Sequence, residues 1–234
     1  MSEKDTQQRS ARVQDMFGTI APSYDFMNTL MTLGHDKVWR EMVLDLAEPD
    51  PKGRLLDLGT GTGGIARMAA KRWPEMEVVG ADFSKRMLER ARKLPYGDRV
   101  TWTAVDALEL PFPDKHFDVV TSGYLLRNLT DLKKGLDEQA RVLRRGGKLV
   151  FLETTPPTQG ALRSLVRFYL VKVLPMIGAL VARQPRAYKY LSDTTMEFLT
   201  PQELEAELTK SGLMTIQVQR IMFGTQVVMK AVRH

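Results

Sequence analysis

Cysteine is absent from this chain of 234 residues. That excludes disulfides, thiolate metal ligands and cysteine nucleophiles. Histidine is nearly absent: His35, His116 and His234 are too few and too scattered to make a zinc site. Long apolar runs are missing too, and no uninterrupted stretch is long enough to span a bilayer. Residues 1–12 are polar and of mixed charge, without the apolar core of a signal peptide. A cytoplasmic protein is expected on these grounds, either free or resting peripherally on a membrane. Repeats, low-complexity tracts and long linkers are also lacking, so we expect a single domain. A hydrophobic content of 43% and a charged content of 26% suit a globular chain, and the length allows a large core.

Acid is missing from one segment. Between Thr154 and Ser192 stand Arg163, Arg167, Lys172, Arg183, Arg186 and Lys189, with no Asp or Glu among them. Of the 34 basic residues these are six, and the other 28 balance the 28 acidic ones. The whole net charge of +6 therefore sits here, interleaved with apolar residues such as Leu165, Phe168, Val173 and Met176.

What is present in the first half is a nucleoside-type loop. Residues 55–63 read Leu-Leu-Asp-Leu-Gly-Thr-Gly-Thr-Gly, an apolar run typical of a buried parallel strand followed by a glycine turn. Gly59, Gly61 and Gly63 let the backbone turn sharply and approach a ligand, and the helix that follows offers its free N–H groups there. Asp82 ends the next apolar run, where a carboxylate meets ribose hydroxyls. The same loop satisfies G-x-G-x-x-G, a dinucleotide pattern. Three features favour S-adenosyl-L-methionine over NAD. Asp57 would repel a pyrophosphate but suits the cationic amino group of a methionine moiety. Asp106 ends a further apolar run and is placed for an adenine amino group. The loop also comes after more than fifty residues, whereas dinucleotide folds often open with it.

The pattern around this loop alternates strands and helices. Strands are expected at 54–58, 77–82, 100–105, 117–122 and 148–153, with helices at 64–72, 84–93 (Ser84 as N-cap) and 132–143, the last stopping at Gly146-Gly147. Residues 13–48 read as cap helices broken by Pro22, and residues 154–200 as one or two helices interrupted by Pro175. Thr200 caps a helix from Pro201 to near Gly212, and runs 213–220 and 224–232 suit a hairpin at the sheet edge. The fold class is α/β: a doubly wound, Rossmann-like seven-stranded sheet with a C-terminal antiparallel hairpin. It carries a helical cap (1–50), a cofactor core (51–153), a basic apolar insertion (154–200) and a C-terminal helix with edge strands (201–234).

Several strings now carry a resemblance. Tyr24-Asp25-Phe26-Met27-Asn28 with Trp39, the glycine loop after Asp57-Leu58, Leu110-Pro111-Phe112-Pro113-Asp114, Leu126-Arg127-Asn128 with Asp131, and Arg141-Val142-Leu143 are the main ones. Together they resemble class I S-adenosylmethionine-dependent methyltransferases and, more narrowly, the ubiquinone/menaquinone-biosynthesis C-methyltransferases. The resemblance implies cofactor contacts at Asp57, Gly59, Gly61, Thr62, Asp82 with Phe83, Asp106 with Ala107, and Ser122, and no metal. It also implies a prenylated quinol as substrate. Arg127 is expected to stabilise a developing phenolate, and Tyr24 and Asn128 to orient the ring and close the pocket. The chain departs from the family pattern where Gly64 replaces the usual Asp after Thr-Gly, and where Asp36 stands in place of a His that some members carry.

Several readings stay open at this stage. The acceptor is a quinol ring or another small phenol, amine or secondary metabolite. The basic apolar segment is a membrane-surface helix, or a lid or homodimer interface. The basic balance permits a nucleic-acid binder, but the cations interleave with aliphatics rather than stacking aromatics, so no nucleic acid is expected. An NAD-linked reductase is the remaining alternative.

Overall fold

The computed structural model describes residues 29, 32, 34–157, 164, 168–173, 176 and 185–234. Seven strands form one sheet: β1 (Arg54–Leu58), β2 (Glu77–Asp82), β3 (Thr101–Ala104), β4 (Phe117–Gly123), β5 (Leu143–Thr154), β6 (Leu213–Ile221) and β7 (Gln226–Arg233). Their order is β3-β2-β1-β4-β5-β7-β6. The first five are parallel, and β7 runs antiparallel to both β5 and β6. This is the expected α/β arrangement with its C-terminal antiparallel pair. The helices are α1 (Asp36–Ala47), α2 (Gly64–Arg72), α3 (Lys85–Arg92), α4 (Leu132–Val142), α5 (Pro185–Glu197) and α6 (Pro201–Lys210).

The strands are covered on both faces, so they carry apolar residues in unbroken runs. Successive side chains go to opposite sides. Leu55, Val119, Val150 and Val228 join one core with α1, α2 and α3, through Trp39, Val43, Leu44, Ile65, Ala66, Ala69 and Leu88. Leu56, Val120, Leu149, Phe151 and Met229 join the other with α4 and α6, through Leu136, Ala140, Leu204 and Leu208. Local chemistry sets the helix starts. Asp131 accepts the Lys134 N–H at 2.9 Å at the head of α4. Thr200 and Glu203 form a reciprocal capping box at α6, with Pro201 in the first turn.

Two expectations about termini are corrected. Gly146-Gly147 do not stop a helix. α4 ends at Val142 and the chain enters β5 at once, five residues before the expected start. Along β4 the partner of Phe117 is Leu143, and that of Val119 is already Lys148. The surplus residues form a bulge, and Gly146 supplies the left-handed backbone it needs (φ +71°). Asp118 pins the bulge by accepting from Arg144 and from the Arg54 N–H. Ser84 does precede α3 in extended conformation, but its hydroxyl makes no cap bond. Its N–H donates instead to Asp82 Oδ1 at 2.8 Å.

Arg141, on the last turn of α4, ties down the Leu110–Asp114 connection. Its guanidinium donates to the carbonyls of Leu110 and Phe112 and to the carboxylates of Asp114 and Glu138, all at 2.7–2.9 Å. Of the cap helices expected over 13–48, α1 is described with residues 29, 32, 34 and 35 before it, while residues 13–28, with Pro22 and Tyr24, and residues 30, 31 and 33 lie outside the described residues. Of the insertion expected at 154–200, residues 158–163, 165–167, 174–175 (with Pro175) and 177–184 also lie outside them. Among the described residues no helix is long and apolar enough to cross a membrane.

Candidate functional site

Ligands in doubly wound sheets bind beyond the carboxyl ends of the strands, beside the point where strand order reverses. Here β1 is that point, with β2 on one side and β4 on the other. A small cleft, open to solvent, lies at this place. Arg40, Asp57, Gly59, Thr60, Gly61, Thr62, Gly64, Gly123 and Tyr124 contribute to its wall.

Asp57 organises the loop from beneath. It is 1% exposed and pairs in register with Thr121 of β4. Its Oδ1 accepts the Thr121 hydroxyl at 3.0 Å. Its Oδ2 accepts the Thr60 hydroxyl and the Ala66 N–H. Burial pushes its pKa up to about 6, against these three hydrogen bonds and the attraction of Arg40. The carboxylate therefore spends its lone pairs on the loop and the first turn of α2.

Asp82 closes the same loop from the neighbouring strand. It is 6% exposed at the tip of β2. Oδ2 accepts the Gly61 N–H at 2.8 Å and Oδ1 the Ser84 N–H at 2.8 Å. Burial raises its pKa, opposed by those two backbone donors. The loop follows a left-handed path: Gly59, Gly61 and Gly63 have φ of +65°, +56° and +77°. At Gly63 the packing is tight as well, since a Cβ would stand 2.3 Å from the Trp102 ring.

The other expected residues fall around this centre. Thr62 is 2% exposed within the loop. Phe83 is half-buried after Asp82. Asp106 is exposed just beyond β3, with Oδ1 accepting the Leu108 N–H at 2.9 Å, and Ala107 beside it is half-buried. Ser122, next to cleft-lining Gly123, is 1% exposed, and its hydroxyl has no partner. A buried hydroxyl without a partner at a strand tip is a group waiting for one.

Arg127 and Asn128 sit on a short 3₁₀ turn (Leu126–Asn128) after β4. Arg127 is 8% exposed and forms an ion pair with Glu153, which is fully buried on β5. Its guanidinium lies 5.2 Å from the centre of the Tyr124 ring, and its Nε has no partner. Asn128 Nδ2 donates to the Tyr124 carbonyl at 2.8 Å, and its Oδ1 accepts the Tyr190 hydroxyl from α5 at 3.1 Å. Tyr24, the third residue expected here, lies outside the described residues. His35 is an exposed turn residue whose Nδ1 donates to the Thr32 carbonyl at 3.1 Å.

Sequence reasoning assigned no role to Arg40 or to the Glu153 partner of Arg127. Both meet the site from elements distant in the chain, α1 and β5, and no local spacing announces them. Among the described residues no cluster of His, Asp or Glu could hold a metal ion. Chemically the site offers a glycine-rich turn, a buried carboxylate at the tip of β2, an unpartnered hydroxyl and a cation. That set suits a nucleoside carrying an amino-acid tail.

Comparison with known proteins gives the same direction. Residues 5–233 match the ubiE/COQ5 methyltransferase family. The chain is 42% identical over 213 residues to a ubiquinone/menaquinone biosynthesis C-methyltransferase of Desulfotalea psychrophila, covering 91% of this chain and 87% of that one. It is 43% identical over 211 residues to a demethylmenaquinone methyltransferase of Thermus thermophilus, covering 89% and 96%. Among solved structures, a SAM-dependent methyltransferase of Thermotoga maritima superposes with a TM-score of 0.67 at 20% identity, covering 94% and 99%. That last likeness is one of fold.

Proposed function

The chain belongs to the ubiE/COQ5 methyltransferase family, and from that premise we propose that it transfers a methyl group to a ring carbon of a quinol, a demethylmenaquinol or a ubiquinol precursor. The observation that carries this reading is the family match over almost the whole chain, joined to a strand-tip site of the matching chemistry. S-Adenosyl-L-methionine, when bound, supplies a sulfonium methyl group that leaves by in-line displacement.

The residues present fit that molecule. Asp82 is placed to take ribose hydroxyls beside its two backbone donors. Ser122 has a free hydroxyl to give or accept a hydrogen bond. Thr62, Gly59 and Gly61 present the loop backbone, and Phe83 with Asp106 and Ala107 flank the base. Asp57 acts through the loop, by holding Thr60 and the head of α2 in position.

Carbon methylation needs an electron-rich ring carbon, so the neighbouring phenolic proton must loosen. Arg127 is the group we assign to the developing phenolate. Glu153 holds its guanidinium against the Tyr124 ring. Asn128, fixed between the Tyr124 carbonyl and the Tyr190 hydroxyl, orients the ring with Tyr24. Positioning is what the protein contributes most to such a displacement.

The basic apolar segment at 160–190 supports a peripheral contact with an anionic membrane, where prenylated quinols reside. Within it Phe168, Val171 and Met176 are exposed. A homodimer through the same segment is the competing arrangement.

The test is a methyl-transfer assay on extracted demethylquinones, reduced and oxidised, read by mass spectrometry beside a panel of simple phenols. Mass gain of one methyl on the reduced quinone alone is expected. Transfer to the phenols with none to the quinol overturns the acceptor. Asp82→Ala is expected to abolish binding of S-adenosylhomocysteine in a calorimeter.

A further inference from the structure

The turn between β6 and β7 takes no part in the scheme above. It runs from Ile221 to Gln226, and Gln226 pairs in register with Thr154, the last residue of β5. The turn therefore stands at the carboxyl end of the parallel strands, the end that carries the cleft. Two consecutive residues in it, Met222 and Phe223, have left-handed backbones at φ +48° and +57°. A residue with a Cβ is strained there, and a fold keeps the strain only where neighbours enforce it. Here they do. The Thr155 N–H donates to the Thr225 carbonyl and the Thr155 hydroxyl to the Gly224 carbonyl, both at 3.0 Å. The Thr225 hydroxyl donates to the Met222 carbonyl at 2.8 Å. Thr155 and Thr225 are both buried.

The held turn sorts its side chains. Ile221 and Met222 pack on the core beneath α1 and α2, as does Tyr124 of the cleft wall. Phe223 is 72% exposed, the most of any large apolar residue among those described. Its surroundings lack acid. Residues 213–234 contain no Asp or Glu, and Arg220 is exposed three residues before Phe223. Thr155, which fastens the turn, is the first residue after β5 and so belongs to the root of the acid-free stretch with six cations. Phe168, Val171 and Met176 of that stretch are exposed as well. An exposed ring wired to a cationic, partly apolar segment suits the boundary between anionic headgroups and acyl chains. A second copy of the same face would bring cations against cations.

We infer that Phe223 is an apolar anchor: the β6–β7 turn enters the surface of an anionic membrane and so turns the strand tips toward the lipid. This rests on the peripheral membrane contact proposed above and adds the point at which the sheet itself meets the bilayer. The strained backbone then has a use, since it holds one ring out from a turn whose neighbours on either side pack inward.

The chain has no cysteine, so Phe223→Cys gives a unique site for a nitrobenzoxadiazole label. Lys52→Cys, exposed just before the amino end of β1, is the control. Each is mixed with quinol-free vesicles of phosphatidylglycerol and phosphatidylcholine. The label at 223 is expected to shift its emission to the blue and to gain protection from aqueous iodide, and the label at 52 to do neither. In sedimentation Phe223→Ala should bind the same vesicles about 10-fold more weakly, the effect of burying one aromatic ring. Its methyl transfer to a tailless quinol in solution should be unchanged. Phe223→Gly, which suits the left-handed backbone, should lose the same affinity and decides the matter if the alanine variant folds poorly. A label at 223 that stays in water while the protein sediments with vesicles overturns the inference and leaves the contact through 160–190 standing. A shift that needs quinol in the vesicles also overturns it, by assigning the ring to the substrate's tail. A protein that sediments with no vesicle sinks both membrane contacts and leaves the methyl-transfer assay to judge the enzyme.

Discussion

Single residues in this site are committed to more than one task, and that sets what their replacement will do. Asp57 is the clearest case. In an unfolded chain its carboxyl titrates near the ordinary value of 3.8, whereas in the fold burial moves it to about 6. Between those values the folded state holds a proton that the unfolded state has released. Asp57 therefore draws stability down as pH rises through that window, and its charged form is retained above it for what the charge does. The charge accepts from Thr60, Thr121 and Ala66, and so keeps the loop in its ligand-ready path. Affinity for S-adenosylhomocysteine should fall as pH drops below about 6 in calorimetric titrations. Asp57→Asn should flatten that profile. Arg127 has a similar double bond to its surroundings. Removing it leaves Glu153 fully buried without its ion partner. Arg127→Ala is expected to lose about 3–5 kcal/mol of stability in urea unfolding. Adding Glu153→Gln should recover much of it, so the double variant is the fair one for measuring turnover.

At the scale of elements, the site depends on connections rather than on the helices they join. The Leu110–Asp114 stretch contains two prolines and has few backbone partners of its own, so Arg141 of α4 fastens it from the side. Arg141→Ala should cost about 2–3 kcal/mol by chemical denaturation, since it orphans two carbonyls and loosens Glu138. Arg141→Lys should recover little, because one ammonium cannot span four acceptors. Most of these elements were legible in the chain. The strands β1, β2 and β4 declare themselves as apolar runs, and α6 by its Thr-Pro start and Gly212 end. The junction of α4 with β5 was not legible. Arg144 to Gly147 have the composition of a turn, and only pairing with β4 makes them a bulged strand. The glycine loop and Asp82 were legible because one local segment makes each of them. Arg40 against Gly64, and Glu153 under Arg127, were not, because each joins residues far apart in sequence and spacing rules cannot see across the fold.

For the molecule as a whole, charge is the property most unevenly distributed. The rest of the chain is balanced, and the excess of six cations belongs to the stretch that runs from the end of β5 through the first half of α5. If that segment meets lipid, binding to vesicles containing anionic phospholipid should exceed binding to neutral ones in sedimentation, and salt should weaken it. Changing Arg163, Arg167 and Lys172 to glutamine should weaken binding by about 3 kcal/mol, at roughly 1 kcal/mol for each cation. Equal binding to both vesicle types would point to the subunit interface instead. Strand order carries a consequence of another kind. β7 lies between β5 and β6, although β6 precedes it in the chain. During synthesis β6 therefore emerges with nowhere to dock, and β5 keeps a bare hydrogen-bonding edge until β7 arrives. The nascent chain must be shielded through that interval, and crowding or slow translation across β6 should divert it to aggregates more than the same delay placed before β5.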